Sequence, residues 1–289
     1  MSTDELKALS WPFPNPKYIF FTDFDGTITL QDSNDYMVRK FQKPGSMDEV
    51  DRQRQTDNLG FGGEKRRQGN KDVLDNKESF RDSFRKMMDS IKTPFPECVE
   101  YLVQNIQLDP HFNEYFQWSL KNNIPTVVLS GGMYPVIRAI LDNLVGKDAD
   151  KIEIVCNEAI AREGKKIDEE GGWQIKYHDE SGFGHDKSLT IRPYANLPAG
   201  KRPTLFYAGD GVSDLSAASE TDLLFAKKGR DLVEYCVKKD VPFTLFEDWS
   251  SIHQKVQEIV EGQTTVKDAA HEGWEMYKNG QAGLNGKAK

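Results

Sequence analysis

Cysteine is scarce in this chain: Cys98, Cys156 and Cys236 are three residues far apart, with no CxxC spacing. That argues against a disulfide framework or a zinc cluster and leaves buried, reduced thiols as the reading. An excess of basic charge is also missing. Thirty-eight lysines and arginines face 46 aspartates and glutamates, a net charge of −8, whereas general nucleic-acid binding needs a basic face. An acidic balance still permits a phosphorylated small ligand, because a bound cation can supply positive charge locally. No stretch is apolar for long enough to span a membrane. The opening residues, MSTDELKALSWPFPNPK, hold no basic segment followed by an apolar run. No internal repeat and no strongly biased segment is present. These absences predict a soluble cytoplasmic protein, with no nucleic-acid and no membrane partner.

What is present is a series of short apolar runs separated by helical patterns. The 289 residues, 37% of them hydrophobic, suffice for one large domain or two smaller ones. Residues 17–22, 124–130, 151–156, 204–209, 223–226 and 243–246 read as buried strands. Between them, Val136, Ile137, Ile140, Leu141 and Leu144 recur at helical spacing. Asp109 stands as an N-cap, with Pro110 at the first helical position. Buried strands alternating with helices predict an α/β fold: a Rossmann-like, three-layer, doubly wound parallel sheet.

One segment breaks the alternation. Residues 32–107 contain no convincing strand, but Phe80, Phe84, Met87, Met88 and Ile91 are helically spaced, as are Val99, Leu102, Val103 and Ile106. The expectation is a catalytic core at 15–31 and 108–262, a helical cap at 32–107 inserted after the first strand, and a tail at 263–289. Residues 157–184 read as a hairpin flap. KDAAHEGWEMYK is expected to form a short helix, and the last ten residues a mobile end.

Ligands of open parallel sheets bind beyond the carboxyl ends of the strands, so the residues there carry the functional argument. The first strand runs into Asp23-Phe24-Asp25-Gly26-Thr27, the second into Ser130-Gly131-Gly132, and a later one into Asp210-Gly211-Val212-Ser213-Asp214. A glycine-rich loop, GFGHDKS, delivers Lys187. Two carboxylates as close as Asp23 and Asp25 repel unless a cation lies between them or their tasks differ. A hard cation such as Mg²⁺ takes carboxylate and carbonyl oxygens. Asp23 and Asp210 can supply two carboxylates and the backbone carbonyl of Asp25 a third ligand. Lys187, Ser130 and the Gly131–Gly132 turn offer donors to a phosphate. Asp23 can then attack phosphorus while Asp25 moves the proton. Each piece alone has a plainer meaning: a capped turn, a glycine turn, a solvated lysine, an acidic loop. Together and in this order they form one site.

The order DxDxT, Ser, Lys, GDGxxD resembles the haloacid dehalogenase superfamily over roughly residues 17–250, and DFDGTIT followed by DSND is similar to its phosphoserine phosphatase-like branch. That branch also holds phosphoethanolamine and phosphocholine phosphatases and methylthiopentenyl-phosphate phosphatases, and fungal polyol phosphatases are similar. The resemblance implies a Mg²⁺-dependent phosphatase of a small phosphorylated metabolite, acting through an aspartyl-phosphate, as a monomer or homodimer. It implies Asp23 as nucleophile and Asp25 as acid and base. Thr27, Ser130, Gly131 and Lys187 would meet the substrate. Asp23, Asp25, Asp210 and Asp214 would stand at the metal, Asp214 directly or behind it. An aspartate at position 25 separates this pattern from the ATPases and dehalogenases of the superfamily. A phosphotransferase or mutase, or a non-catalytic phosphate-ligand binding protein, is the alternative.

Substrate choice points to the insert. Asp32 and Asp35 either face a cationic substrate or cap and charge the first turn of a helix. Lys65, Arg66 and Arg67 lie on an expected cap loop and either bind an anion or are solvated. His185, two residues before Lys187, reads as a structural loop histidine.

Overall fold

The central strands form around unbroken apolar runs, Ile19–Phe21, Val127–Leu129 and Leu205–Ala208, which suit a sheet covered on both faces. A computed structural model describes residues 15–40, 62–281 and 283. Its sheet has seven strands: β1 (Tyr18–Thr22), β2 (Thr126–Met133), β3 (Glu153–Ala161), β4 (Trp173–Lys176), β5 (Thr204–Gly209), β6 (Leu223–Lys227) and β7 (Thr244–Phe246). Their order is β4-β3-β2-β1-β5-β6-β7. All pairs are parallel except β3 with β4. The six strands expected from the sequence are present, and the doubly wound α/β fold is the one observed.

The alternation within each strand divides the core between two faces. Phe20, Val128, Phe206 and Phe225 point to one side, where they meet Phe116, Trp249 and Ile252. Ile19, Phe21, Val127, Leu129, Leu205 and Leu224 point to the other, against Ile191, Leu232 and Val233. This is the period-2 geometry of a strand serving two helical layers.

The helices are α1 (Ser33–Lys40), α2 (Gly62–Leu74), α3 (Phe80–Asp89), α4 (Phe95–Asn105), α5 (Phe112–Lys121), α6 (Tyr134–Leu144), α7 (Lys187–Ala195), α8 (Asp231–Lys239), α9 (Trp249–Val260) and α10 (Val266–Lys278). Between β1 and β2 the described residues are helical, as expected, with no strand among them. The residues around 62–69, expected as a loop, instead open α2. The side chains of Phe80, Phe84, Met87 and Met88 on α3 join the same apolar cluster as the sheet and α6.

The flap is a hairpin, with Glu158 opposite Lys176 and Ala161 opposite Trp173. It grips the insert: Tyr177 donates to the Arg81 carbonyl at 2.6 Å and Trp173 Nε1 to the Thr93 carbonyl at 2.9 Å. The helix expected at KDAAHEGWEMYK is α10. Its Gly273 N–H donates to the Phe243 carbonyl at 2.9 Å, docking the helix beside β7.

Asp109 does not cap the next helix from its side chain as expected. α5 starts at Phe112 with His111 at the N-cap. The Asp109 carboxylate accepts from the backbone of His111 and of Trp249, joining α5 to α9. Residues 1–14 lie outside the described residues. So do residues 41–61, 282 and 284–289, which include most of the expected mobile end.

Candidate active site

The chain turns at β1, with β2 on one side and β5 on the other, so three carboxyl ends face one crevice at the switch point. The crevice is a cleft of about 270 Å³. Asp23, Asp25, Ser130, Gly131 and Asp210 all line it, as expected from their strand ends. Lys187 and Asp214 stand just behind, fully buried.

Lys187 is the first residue of α7, whose N-cap Asp186 accepts from the Ser188 N–H at 3.0 Å. Its ammonium donates to Asp23 Oδ1 at 2.8 Å, Asp214 Oδ1 at 2.6 Å and the Tyr207 hydroxyl at 3.0 Å. Burial works against this ammonium, but the Asp214 and Asp23 carboxylates outweigh it and hold its pKa above the usual lysine value. Burial likewise pushes Asp23 up to about 7, against the pull of Lys187.

Asp214 has both oxygens engaged. Oδ1 accepts from Lys187 and Tyr207, and Oδ2 accepts the backbone N–H groups of Asp210 and Gly211, each at 2.9 Å. It therefore shapes the loop that carries Asp210. The Asp210 carboxylate accepts no hydrogen bond from any described residue. Burial and the charges of Asp23 and Asp214 push it well above the usual carboxylate range.

Oxygens of Asp23, Asp210 and Asp214 lie within 4.8 Å of one another. Desolvated, mutually repelling carboxylates with one left unpaired suit a hard divalent cation. The donor set fits Mg²⁺. The Asp25 carboxylate stands apart from that group, which leaves its backbone carbonyl as the part able to serve as a ligand.

Asp25 faces the insert instead. Its Oδ1 accepts from the Ser33 N–H and its Oδ2 from Asn34 Nδ2, both at 2.7 Å. Burial, then the charge of Asp32, push its carboxyl well above the usual range. Asp23 and Asp25 thus sit two positions apart in different surroundings, one beside an ammonium and one at the start of α1.

Two glycines make room for these acids. Gly26 has φ +74°, and a Cβ there would come 2.5 Å from Asp210 Oδ2. A Cβ on Gly132 would sit 3.2 Å from Ser130 Oγ and 3.3 Å from Asp25 Oδ2. The Gly132 N–H donates to Ser130 Oγ at 2.9 Å, which leaves the serine proton free to donate into the cleft. β2 is irregular between Ser130 and Met133. From behind, His185 Nδ1 meets the Ser130 carbonyl at 2.9 Å and Asn157 Nδ2 donates to the Gly131 carbonyl at 2.7 Å. His185 has the structural role expected of it.

Thr27 departs from its expected substrate contact. It is fully buried, its hydroxyl has no partner among the described residues, and it does not line the cleft. Its carbonyl accepts Trp249 Nε1 at 2.9 Å.

Asp32 does cap α1, accepting the N–H groups of Asn34 and Asp35 at 2.9 Å, and it lines the cleft as well. Arg66 also lines it and donates to Asp35. Lys65 is exposed, and the Arg67 side chain lies outside the described residues.

Sequence reading missed several partners. Lys227, at the carboxyl end of β6, donates to the Gly26 carbonyl at 2.6 Å, and the strand-end rule applied elsewhere would have found it. Tyr207 lies inside β5 and Asn34 inside α1, where no pattern marks them.

A family model for haloacid dehalogenase-like hydrolases matches residues 20–219. The polyol phosphate phosphatase PYP1 of Saccharomyces cerevisiae is 47% identical over 259 residues, 87% of this chain and 98% of that protein. Pdp3-interacting factor 1 of Schizosaccharomyces pombe is 48% identical over 240 residues, 83% of this chain and 94% of that one. A solved phosphoserine phosphatase, a phospho-aspartyl intermediate analogue, shares the fold at a TM-score of 0.55. It is 18% identical, covering 86% of this chain and 99% of the other. On its DxDxT, Ser, Lys and GDGxxD residues, its sheet order and these matches, the chain belongs to the haloacid dehalogenase-like hydrolases.

Proposed function

We propose that this hydrolase is a phosphatase that cleaves phosphomonoesters of small polyhydroxylated metabolites, with Asp23 as nucleophile and Asp25 as proton carrier. The observation that carries this reading is the contrast between the two acids. Burial raises both, but Asp23 is paired with an ammonium that pulls it back towards the ionised form a nucleophile needs. Asp25 is pushed up by burial and by Asp32, which favours a carboxyl able to hold a proton.

Asp23, Asp210 and the backbone carbonyl of Asp25 would hold Mg²⁺, which when bound neutralises phosphate charge next to the attacking carboxylate. Asp23 forms a bond to phosphorus as the phosphorus–oxygen bond to the metabolite breaks. Asp25 gives its proton to the departing oxygen. Asp25 then takes a proton from water, the water oxygen attacks phosphorus, and Asp23 is released with inorganic phosphate. Lys187 keeps Asp23 oriented throughout. Ser130 and the Gly131 N–H donate to the phosphoryl oxygens. The substrate class rests on the polyol phosphate phosphatase relative and on the polar side chains of the cleft.

The test is phosphate release from glycerol phosphate, ribitol phosphate and p-nitrophenyl phosphate, with Mg²⁺ and with EDTA, for the native chain and Asp23→Asn. Release that needs both Mg²⁺ and Asp23 is expected. Release that survives Asp23→Asn overturns the nucleophile. No release from any ester, with Mg²⁺ bound, overturns the phosphatase reading and favours a mutase or a phosphate-binding protein.

A further inference from the structure

Beside the reacting carboxylates the cleft is lined by two unlike groups of side chains. One is polar. Arg66 donates from Nε to Asp35 Oδ1 at 2.8 Å and from Nη1 to Asn70 Oδ1 at 2.9 Å. These three residues line the cleft beside Asp32. The other wall is apolar, built from Phe80 and Phe84, whose rings stack at 5.6 Å with 13° between planes.

Charge on the polar wall is already committed. Among the described residues, Arg66 is the one cation that the helices between β1 and β2 bring to the cleft, against the carboxylates of Asp32 and Asp35. The Arg66 and Asp35 side chains are 17% and 27% exposed, so solvent screens their pairing only in part. Asp35 Oδ2 and Asp32 Oδ2 accept no hydrogen bond from a described residue.

We propose that the Arg66–Asp35 pair is a specificity filter: it rejects phosphomonoesters whose leaving group carries a carboxylate and admits neutral, hydroxyl-rich ones. The proposal rests on the phosphatase reading above and assigns its selectivity to named residues. An anionic leaving group would need an uncommitted cation at this wall. It meets instead a guanidinium neutralised at contact distance and two carboxylates that repel it. Hydroxyl groups can donate to the open oxygens of Asp35 and Asp32, while the carbon chain lies against Phe80 and Phe84. Arg230, exposed and lining the cleft next to Asp231, is the competing cation. Were it to capture carboxylates, the native enzyme would accept them already.

Glycerol 3-phosphate and 3-phosphoglycerate form a matched pair that differs by a hydroxymethyl group against a carboxylate. The native enzyme is expected to prefer the former by about 100-fold in kcat/KM. Asp35→Asn, which frees the Arg66 charge, is expected to narrow that ratio about tenfold by raising kcat/KM for phosphoglycerate. Asp35→Asn combined with Arg66→Gln should lose the gain. Asp35→Ser serves as a second variant should the asparagine fail to fold, and melting curves report which does. A native ratio near one overturns the proposal, and so does a ratio that neither Asp35 variant moves. In both cases hydrolysis of p-nitrophenyl phosphate by the native enzyme leaves the phosphatase reading intact. No hydrolysis of any ester by the native enzyme overturns that reading, and this proposal with it.

Discussion

The Lys187 ammonium lies 2.8 Å from Asp23 Oδ1, and both side chains are shut away from solvent although 164 positions separate them in the chain. Removing the ammonium leaves Asp23 and Asp214 as buried carboxylates facing each other. Lys187→Met is expected to cost about 3–5 kcal/mol of stability and about 1,000-fold in kcat/KM. Urea unfolding and turnover measure both. Lys187→Arg is not expected to rescue turnover, because a site with no exposed surface has no room for a planar fork. Near-native stability of the methionine variant would contradict the account of Lys187 as the clamp of the site.

Asp25 is assigned the proton given to the leaving oxygen, so its loss should depend on what leaves. Asp25→Asn is expected to reduce turnover of an alkyl phosphate about 1,000-fold or more, within the range of general acid–base catalysis. An aryl phosphate leaves without a proton. The variant should release one equivalent of nitrophenolate quickly and then stall, because water is no longer activated. Rapid-quench kinetics would show the burst. An equal loss on both substrates with no burst would remove Asp25 from the acid role.

His185 gives a pH dependence of stability. Burial lowers its pKa from 6.5 to about 4. Between those values the unfolded chain binds the proton more readily than the folded one. Stability is therefore expected to be lost as pH falls from about 6.5 towards 4, by about 3 kcal/mol from this group alone. His185→Asn keeps a donor near the Ser130 carbonyl but removes the titration. Guanidinium unfolding at several pH values should show a shallower slope for the variant over that window. Parallel slopes would exclude His185 as the source.

The strand ends at the site were legible because β1, β2 and β5 are short apolar runs that close on an acid or on glycine. Phe20 and Phe21 must face opposite helical layers, so an uninterrupted run announces a buried strand. The helix at α2 was less legible. Its residues GGEKRRQGN carry two leading glycines and a charge run, and no apolar stripe marks a buried face. The partners that hold it are distant ones, such as Asp35 for Arg66. Thr27 was misjudged for a related reason. Its motif places it with the binding residues, but the left-handed turn at Gly26 carries it out of the cleft and into the interior near Trp249.

By itself the sequence determined the class of fold, the acids, hydroxyl and amine of the site, and the fact that they gather beyond strand ends. Those follow from local patterns: strand period, terminating glycines and the order of motifs along a sheet. Tertiary structure decided which atoms meet. It set Lys187 between Asp23 and Asp214, gave both Asp25 oxygens to α1, left Asp210 open, and spent the charge of Arg66 on Asp35. Hydrogen bonds and ion pairs depend on distances of a few ångströms between residues far apart in the chain, and only the packing of the whole molecule sets those distances.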